Sequence, residues 1–385
     1  MFNIVLLGLT SFFTDVASEM VYPLIPFFLT ATLGASPAVL GIIEGVAESI
    51  ASLLKVVSGY ISDKFRNRKG LTIAGYSSSA FGKILLYVAN GWGFVFAGRV
   101  VDRLGKGIRT APRDALIAES AGSANRGMAF GLHRALDTTG AVVGVLLAYY
   151  FLTRHTGNYT QVFLWSLVPA VIGVVLLFFV RRAVSGSPSS VSSSRVSGFR
   201  FNFRSLPRKL KLFLAVAFIF TLGNSSNTFL LLRAQNLSFT PADAILLYLV
   251  YNIIYGAVSF PAGKLSDRIG RKRLLVIGYL SYGLVYLGFA LVSAPAQAWI
   301  LWGLFGLYGL YSGFTDGIEK ALIADLAPSE IRATAIGLHA TILGIGLFPA
   351  SFIAGELWQH LGPASAFYFG GGTGLIAAVG LLLVL

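Results

Sequence analysis

The sequence predicts an all-α membrane protein with twelve transmembrane helices in two pseudo-symmetric six-helix bundles. Three observations lead there. The 385 residues are 55% hydrophobic and only 12% charged, with mean hydropathy +0.75, whereas soluble domains carry about 25% charged residues. The apolar residues fall into runs of about 20, the length a helix needs to cross the hydrocarbon core. The later runs also repeat motifs of the earlier ones. Barrel strands would need alternating segments of about ten residues, and none is seen.

The first run, 3–31, is too long for a cleavable signal peptide and continues through Pro23 and Pro26, which break its helix. It carries Asp15 and Glu19. The second, 38–61, has Glu44 and Glu48 four apart on one face. The third, 71–90, contains Lys83. The fourth, 94–118, bears Arg99, Arg103, Lys106, Arg109 and Arg113 in three- and four-residue steps, a basic stripe along one helix. The fifth, 127–152, holds His133 and Asp137, and the sixth is 160–180. Asn224 and Asn227 lie three apart on the seventh, 210–234. Tyr248, Tyr251, Asn252 and Tyr255 share a face of the eighth, 241–263. The ninth is 273–293. Tyr308, Tyr311, Ser312 and Thr315 repeat that arrangement on the tenth, 297–322, where Asp316, Glu319 and Lys320 follow as a gate network. The eleventh, 331–359, contains His339, and the twelfth is 363–385. The fourth and tenth are charged and rest on period and flanks.

Between the sixth and seventh runs lies a Ser- and Arg-rich stretch with Ser185, Ser187, Ser189, Ser190 and Ser192 to Ser194. Such a composition cannot bury a core and reads as a flexible linker. The domains are therefore 1–180, a linker at 181–209, and 210–385. Near the linker's end Phe199, Phe201 and Phe203 alternate with Arg200, Asn202 and Arg204, as an extended or membrane-surface segment would. The net charge is +14. In a soluble chain that would raise nucleic-acid binding, but here the positive residues sit in short loops after even-numbered runs. Lys64, Arg66, Arg68 and Lys69 form one such loop; Arg268, Arg271, Lys272 and Arg273 form another. The positive-inside rule places these loops and both termini in the cytoplasm, and lean loops suit a bacterial cytoplasmic (inner) membrane. There is no cysteine, so thiolate metal sites and Cys nucleophiles are excluded.

Three stretches of the first half match the second at one constant offset. Ala115-Leu-Ile-Ala-Glu119 recurs as Ala321-Leu-Ile-Ala-Asp325, Arg126 as Arg332, and Gly131-Leu-His133 as Gly337-Leu-His339. Gly59 and Asp63 correspond to Gly263 and Asp267. Internal repeats of this kind mark transporter folds.

These residues resemble the major facilitator superfamily. Its signature loop follows the second helix: Gly, three residues, Asp, a basic residue, any residue, Gly, and two basic residues. The second copy is complete in Gly263, Asp267, Arg268, Gly270, Arg271 and Lys272. The first keeps Gly59, Asp63, Lys64, Arg68 and Lys69, with Arg66 where Gly is usual and one extra residue. The resemblance implies a conformational gate, with Asp63 near the N-terminus of a helix of the other half, where the dipole favours an anion, and Asp267 as its counterpart. Arg99 stands where family members often carry an arginine, and Pro112 before Ala115 is typical of that helix end. Gly131, Gly140 and Gly144 match the glycine spacing of exporters, although Val145 and Leu147 replace the Pro and paired Gly that normally follow. Close packing through small residues explains the glycines equally well.

Charges at membrane depth are costly and mark function or pairing. An apolar cavity favours the protonated carboxyl and a nearby cation the ionised one, which makes Asp15, Glu48 and Asp137 the proton-coupling candidates. Substrate-cavity candidates are Glu19, Glu44, Lys83, Arg99, Arg103, Asn224, Asn227, Tyr251, Asn252, Tyr255, Tyr308 and Tyr311; the aromatic members can stack on an organic solute. Ion pairing that fixes helix register is the structural alternative for the charged ones, and aromatic packing for the tyrosines. His133 and His339 read as polar interface residues. Gly105-Lys106-Gly107 lacks the hydroxyl residue and spacing of a phosphate loop, and no zinc helix or nucleophile elbow is present. We therefore expect a transporter and not an enzyme. Proton-coupled export of a small organic solute leads, uptake comes second, and lipid or lysolipid flipping third. A monomer in lipid is expected, with no cofactor, metal or nucleic-acid partner.

Overall fold

The computed structural model describes residues 2–65, 67–121, 126–154, 158–181, 206–293, 297–328 and 331–384. Among these the regular structure is helical throughout. The spans are α1 (Phe2–Val21, prolonged by short tight and wide turns to Thr32), α2 (Pro37–Phe65), α3 (Arg68–Tyr87), α4 (Trp92–Ala121), α5 (Arg126–Arg154) and α6 (Tyr159–Phe178). In the second half they are α7 (Arg208–Gly223 and Thr228–Asn236), α8 (Pro241–Ile269), α9 (Arg271–Leu291), α10 (Ile300–Leu326), α11 (Arg332–Leu361) and α12 (Pro363–Val384). Most of the linker, including Phe199, Phe201 and Phe203, lies outside the described residues.

Among the described residues eight spans are long and apolar enough to cross a membrane by length and composition alone; α2, α3, α4 and α10 are the other four. Those four bury polar side chains inside the bundle, among them Glu44, Lys83, Arg99, Asp102, Arg103 and Glu319. Local chemistry sets the helix ends. Asn67 caps α3 by accepting from the Gly70 amide at 3.1 Å, and Thr240 caps α8 by accepting from Asp243 at 3.2 Å. Gly270, at φ +93°, makes the reversal from α8 to α9.

Pro23 and Pro26 end the regular helix of α1 at Val21, as expected. The seventh span was expected to run unbroken; instead it unwinds at residues 224–227. Asn224 and Asn227 at helical spacing look like one polar face, yet short polar side chains offer the backbone other partners than the helix does. The broken ends of α1 and α7 meet: the Tyr22 hydroxyl lies 3.3 Å from Ser226 Oγ, and Thr30 donates to Gln235 at 3.2 Å.

Within each half the third and fourth helices pack closely, as do α1 with α5 and α9 with α12. Across the halves the main contacts are α2 with α11 and α5 with α8. Near the start of α2 a Cβ on Gly41 would stand 2.3 Å from the Ser351 carbonyl, and one on Gly355 would stand 2.7 Å from that of Pro37. Only glycine permits this approach, and with the α1–α7 contacts it seals the end opposite the basic loops. At the basic-loop end Asp316 and Lys320 remain 50% and 61% exposed. The bundle is open there.

Candidate functional site

Between the halves lies a cavity of about 580 Å³, bounded by α1, α2 and α4 on one side and α7, α8, α10 and α11 on the other. Small-molecule sites occupy roughly 300–1,000 Å³. The unwound step of α7 faces it, and non-helical backbone at membrane depth is tolerated where it is buried in protein or lines a cavity. Asn224 donates to the Tyr311 hydroxyl at 3.1 Å, and Asn227 accepts from Tyr308 at 2.8 Å. Ring centroids link Tyr248 to Tyr251 (5.5 Å), Tyr251 to Tyr308 (5.2 Å) and Tyr308 to Tyr311 (5.3 Å). This wall is neutral and aromatic.

The facing half is ionic. Glu44 is fully buried and takes Arg99 as a two-pronged pair, both contacts at 2.7 Å. Arg103 lies 3.0 Å from Glu48, and Lys83 lies 3.3 Å from Asp102. Arg99 also approaches Asp102 at 3.8 Å. The Tyr22 ring sits beneath both guanidinium groups, at 5.3 and 5.9 Å. Two-pronged arginine–carboxylate geometry holds position as well as charge, so α2, α3 and α4 are locked into one lattice. Ser226 of the second half donates to Glu44 at 3.3 Å and ties the broken helix to it.

A smaller cavity of about 190 Å³ runs beside the lattice, lined by Asp15 and Glu19 from α1 and by Lys83, Arg103, Lys106 and Arg109. Ser11 donates to Asp137 at 2.6 Å, and Asp15 faces the same carboxyl. Lys106 borders both cavities.

The structure thus brings Glu48, Asn224, Asn227, Tyr251, Tyr255, Tyr308 and Tyr311 to the large cavity and Asp15, Glu19, Lys83, Arg99 and Arg103 to the small one. Glu44 and Asn252 line neither: Glu44 is spent on Arg99, and Asn252 donates to the Tyr248 carbonyl at 3.0 Å. Asp316, Glu319 and Lys320 line the large cavity. Glu319 accepts from Tyr279 at 2.8 Å and lies 3.3 Å from His339. His133 is buried in the first half. Arg134 and Tyr255 join α5 to α8 at 2.9 Å, and Tyr255 donates to Asp316 at 2.6 Å. The sequence reading missed Asp102. A lone acid inside a stripe of five bases had to meet a further base on a neighbouring helix, and Lys83 at the same depth was the signal.

The signature loops form matching pairs within each half. Arg68 bonds Glu119, and Arg271 bonds Asp325 at 2.8 Å. Asp267 lies 3.7 Å from Arg271 and is largely exposed, and Arg268 is exposed as well. Lys64 sits over Tyr60 and Phe65 at 5.9 and 5.6 Å. Gly59 approaches Ala111 of α4, Gly263 has open space beside it, and Gly270 supplies the turn. The Asp63 side chain lies outside the described residues.

Comparison with known proteins agrees with this architecture. The family model described as Major Facilitator Superfamily matches residues 7–232 and 212–385. A protein named as an uncharacterized MFS-type transporter, MJ1317, of Methanocaldococcus jannaschii is 39% identical over 99% of this chain and 94% of its own length. The multidrug resistance protein MdtG of Klebsiella pneumoniae is 24% identical over 98% of this chain and 92% of its own. Among solved structures, the nucleoside transporter NupG superposes over 100% of this chain and 99% of its own, with TM-score 0.79 at 15% identity, a likeness of fold alone. The chain belongs to the major facilitator superfamily, whose members are integral membrane transporters and not enzymes.

Proposed function

We propose that this chain is a proton-coupled secondary transporter that carries a small organic solute through the central cavity by alternating access. The supporting observation is the cavity itself: it lies where the broken α1 and α7 meet, closed at one end and open at the basic-loop end. A rocking motion that parts α2 from α11 and brings the basic-loop ends together would expose it to the other side. The positive-inside rule makes the open end cytoplasmic and places both termini there, in a cytoplasmic membrane.

Protons are carried by Asp15 and Asp137. Two carboxyls in contact cannot both be ionised without strong repulsion, and Lys106, Arg113 and Ser11 around them supply alternative partners. Glu48 is the third carboxyl of this set, held by Arg103. The direction proposed is export, on the glycine spacing of α5 and the likeness to MdtG. The monomer is the proposed unit, with residues 1–180 and 210–385 as the two bundles that rock against each other.

Asp15→Asn tests this reading. In proteoliposomes with an imposed pH gradient, dissipation of the gradient is followed with a pH-sensitive dye while a panel of organic anions, cations and neutral solutes is added. The native chain should dissipate the gradient with one solute class, and Asp15→Asn should not while remaining monodisperse. Unchanged coupling in that variant removes Asp15 from the mechanism. Gradient-independent movement of lysolipid, with no solute response, replaces the solute reading by a flippase.

A further inference from the structure

The charges lining the large cavity are unequally occupied. Its three carboxylates are all engaged: Glu48 by Arg103 at 3.0 Å, Asp316 by Tyr255 at 2.6 Å and Lys320 at 3.8 Å, and Glu319 by Tyr279 at 2.8 Å and His339 at 3.3 Å. Two cations are held less closely: Glu48 acts on both and Asp15 on Lys106, but only from beyond ion-pair distance. Neither the Lys55 nor the Lys106 ammonium forms an ion pair or hydrogen bond among the described residues, and both line the cavity from the first half, on α2 and α4. Opposite them stands the neutral wall of Tyr251, Tyr308 and Tyr311. An unpaired ammonium beside a cavity at membrane depth is costly unless an anion joins it.

We infer that the cavity takes an aromatic organic anion, its carboxylate or phosphate between Lys55 and Lys106 and its ring against Tyr251 and Tyr308. Such a ligand touches both halves at once. The anion supplies the missing partner for two lysines, and the ring meets edges and faces that already pair with one another at 5.2 and 5.3 Å. A cation of equal size would meet two ammonium groups and find the three carboxylates of this cavity already held. The inference rests on the transport reading for the cavity's role, and names the class of solute.

The test uses the full chain in detergent and three probes of one size: benzoate, benzamide and benzylamine. Phenyl phosphate and lysophosphatidylglycerol are added to separate a small solute from a lipid headgroup. Benzoate or phenyl phosphate should raise the unfolding temperature by mass action, and benzamide and benzylamine should not. Lys55→Met and Lys106→Met, made separately, should each weaken the anion by about tenfold or more, as expected for loss of a charged hydrogen-bond donor. Lys106→Arg should restore part of the affinity. Equal stabilisation by benzamide or benzylamine, no stabilisation by either anion, or unchanged affinity in both methionine variants overturns the assignment. So does preference for lysophosphatidylglycerol, which would make the occupant a lipid. Lysine-dependent benzoate binding without coupled flux overturns the transport reading and leaves the anion site. Coupled flux of a neutral or cationic solute does the reverse.

Discussion

The slot between the third and fourth helices is filled differently in the two halves. In the first half Lys83 meets Asp102 at 3.3 Å. In the second, Tyr286 stands beside Tyr308 with ring centroids 6.1 Å apart. The positions correspond. Gly75 and Gly278 each stand eight residues before Lys83 and Tyr286, and Asp102 and Tyr308 each stand seven before Arg109 and Thr315. A Cβ on Gly75 would press on Arg109 and one on Gly278 on Thr315, both at 2.6 Å. One backbone framework thus carries an ion pair on one side and an aromatic pair on the other. An ion at this depth must have its partner and fixes helix register strictly. A tyrosine needs only one hydrogen bond and leaves its ring for packing. The first half is therefore a lattice that positions charge, and the second a neutral wall that can meet an organic solute.

The comparison breaks if the ionic lattice proves dispensable. Arg99→Met leaves Glu44 fully buried without its cation, and should cost about 3–5 kcal/mol of stability. The double variant Glu44→Leu with Arg99→Met should recover most of that, since removing both charges leaves no orphan. Unfolding by sodium dodecyl sulfate in mixed micelles measures both. A double variant as unstable as the single would show that the lattice stabilises by more than charge pairing.

The slot itself sharpens the contrast with a smaller effect. Lys83→Met should cost about 2 kcal/mol, within the range for a hydrogen bond to a charged group, and less than Arg99→Met because Asp102 keeps Arg99 at 3.8 Å and Arg103 at 4.0 Å. Tyr286→Phe should cost nothing measurable or stabilise slightly, because its buried hydroxyl has no hydrogen-bond partner among the described residues to lose. Equal losses at the two positions, read in the same unfolding assay, would erase the distinction between lattice and wall.

The contrast was partly legible in the sequence. Charges clustered in the first six runs and tyrosines in the eighth and tenth, and the positions of both followed from helical period. Among the described residues eight spans follow from apolar length, and the charged ones, α4 and α10 above all, from period and flanks. Pairing was harder to read. Glu44 and Glu48 looked alike on one face, yet one is sealed on Arg99 and the other lines the cavity. Which carboxylate a cation takes depends on side-chain rotation about helices whose facing sides are set only by packing. The break in α7 was hidden because no proline marks it: residues 224–227 unwind through tertiary partners such as Tyr308 and Tyr311. Lys55 and Lys106 could not be told from the paired bases of the first half, since the lack of a close partner is a property of the assembled cavity.

The smallest expected effect tests the symmetry that makes the halves comparable. Arg68 with Glu119 and Arg271 with Asp325 repeat one contact between a signature loop and the end of the fourth or tenth helix. The acidic partners are 43% and 55% exposed, so each pair should be worth under about 1 kcal/mol in stability. Glu119→Gln and Asp325→Asn should therefore unfold within that margin of the native chain and of each other. Their effect on transport should instead be kinetic and similar, because both loops lie at the end that closes in the proposed rocking motion. A large slowing in one variant and none in the other, at equal stability, would mean that only one half's loop takes part in closure, and that the duplicated framework is symmetric in construction but not in use.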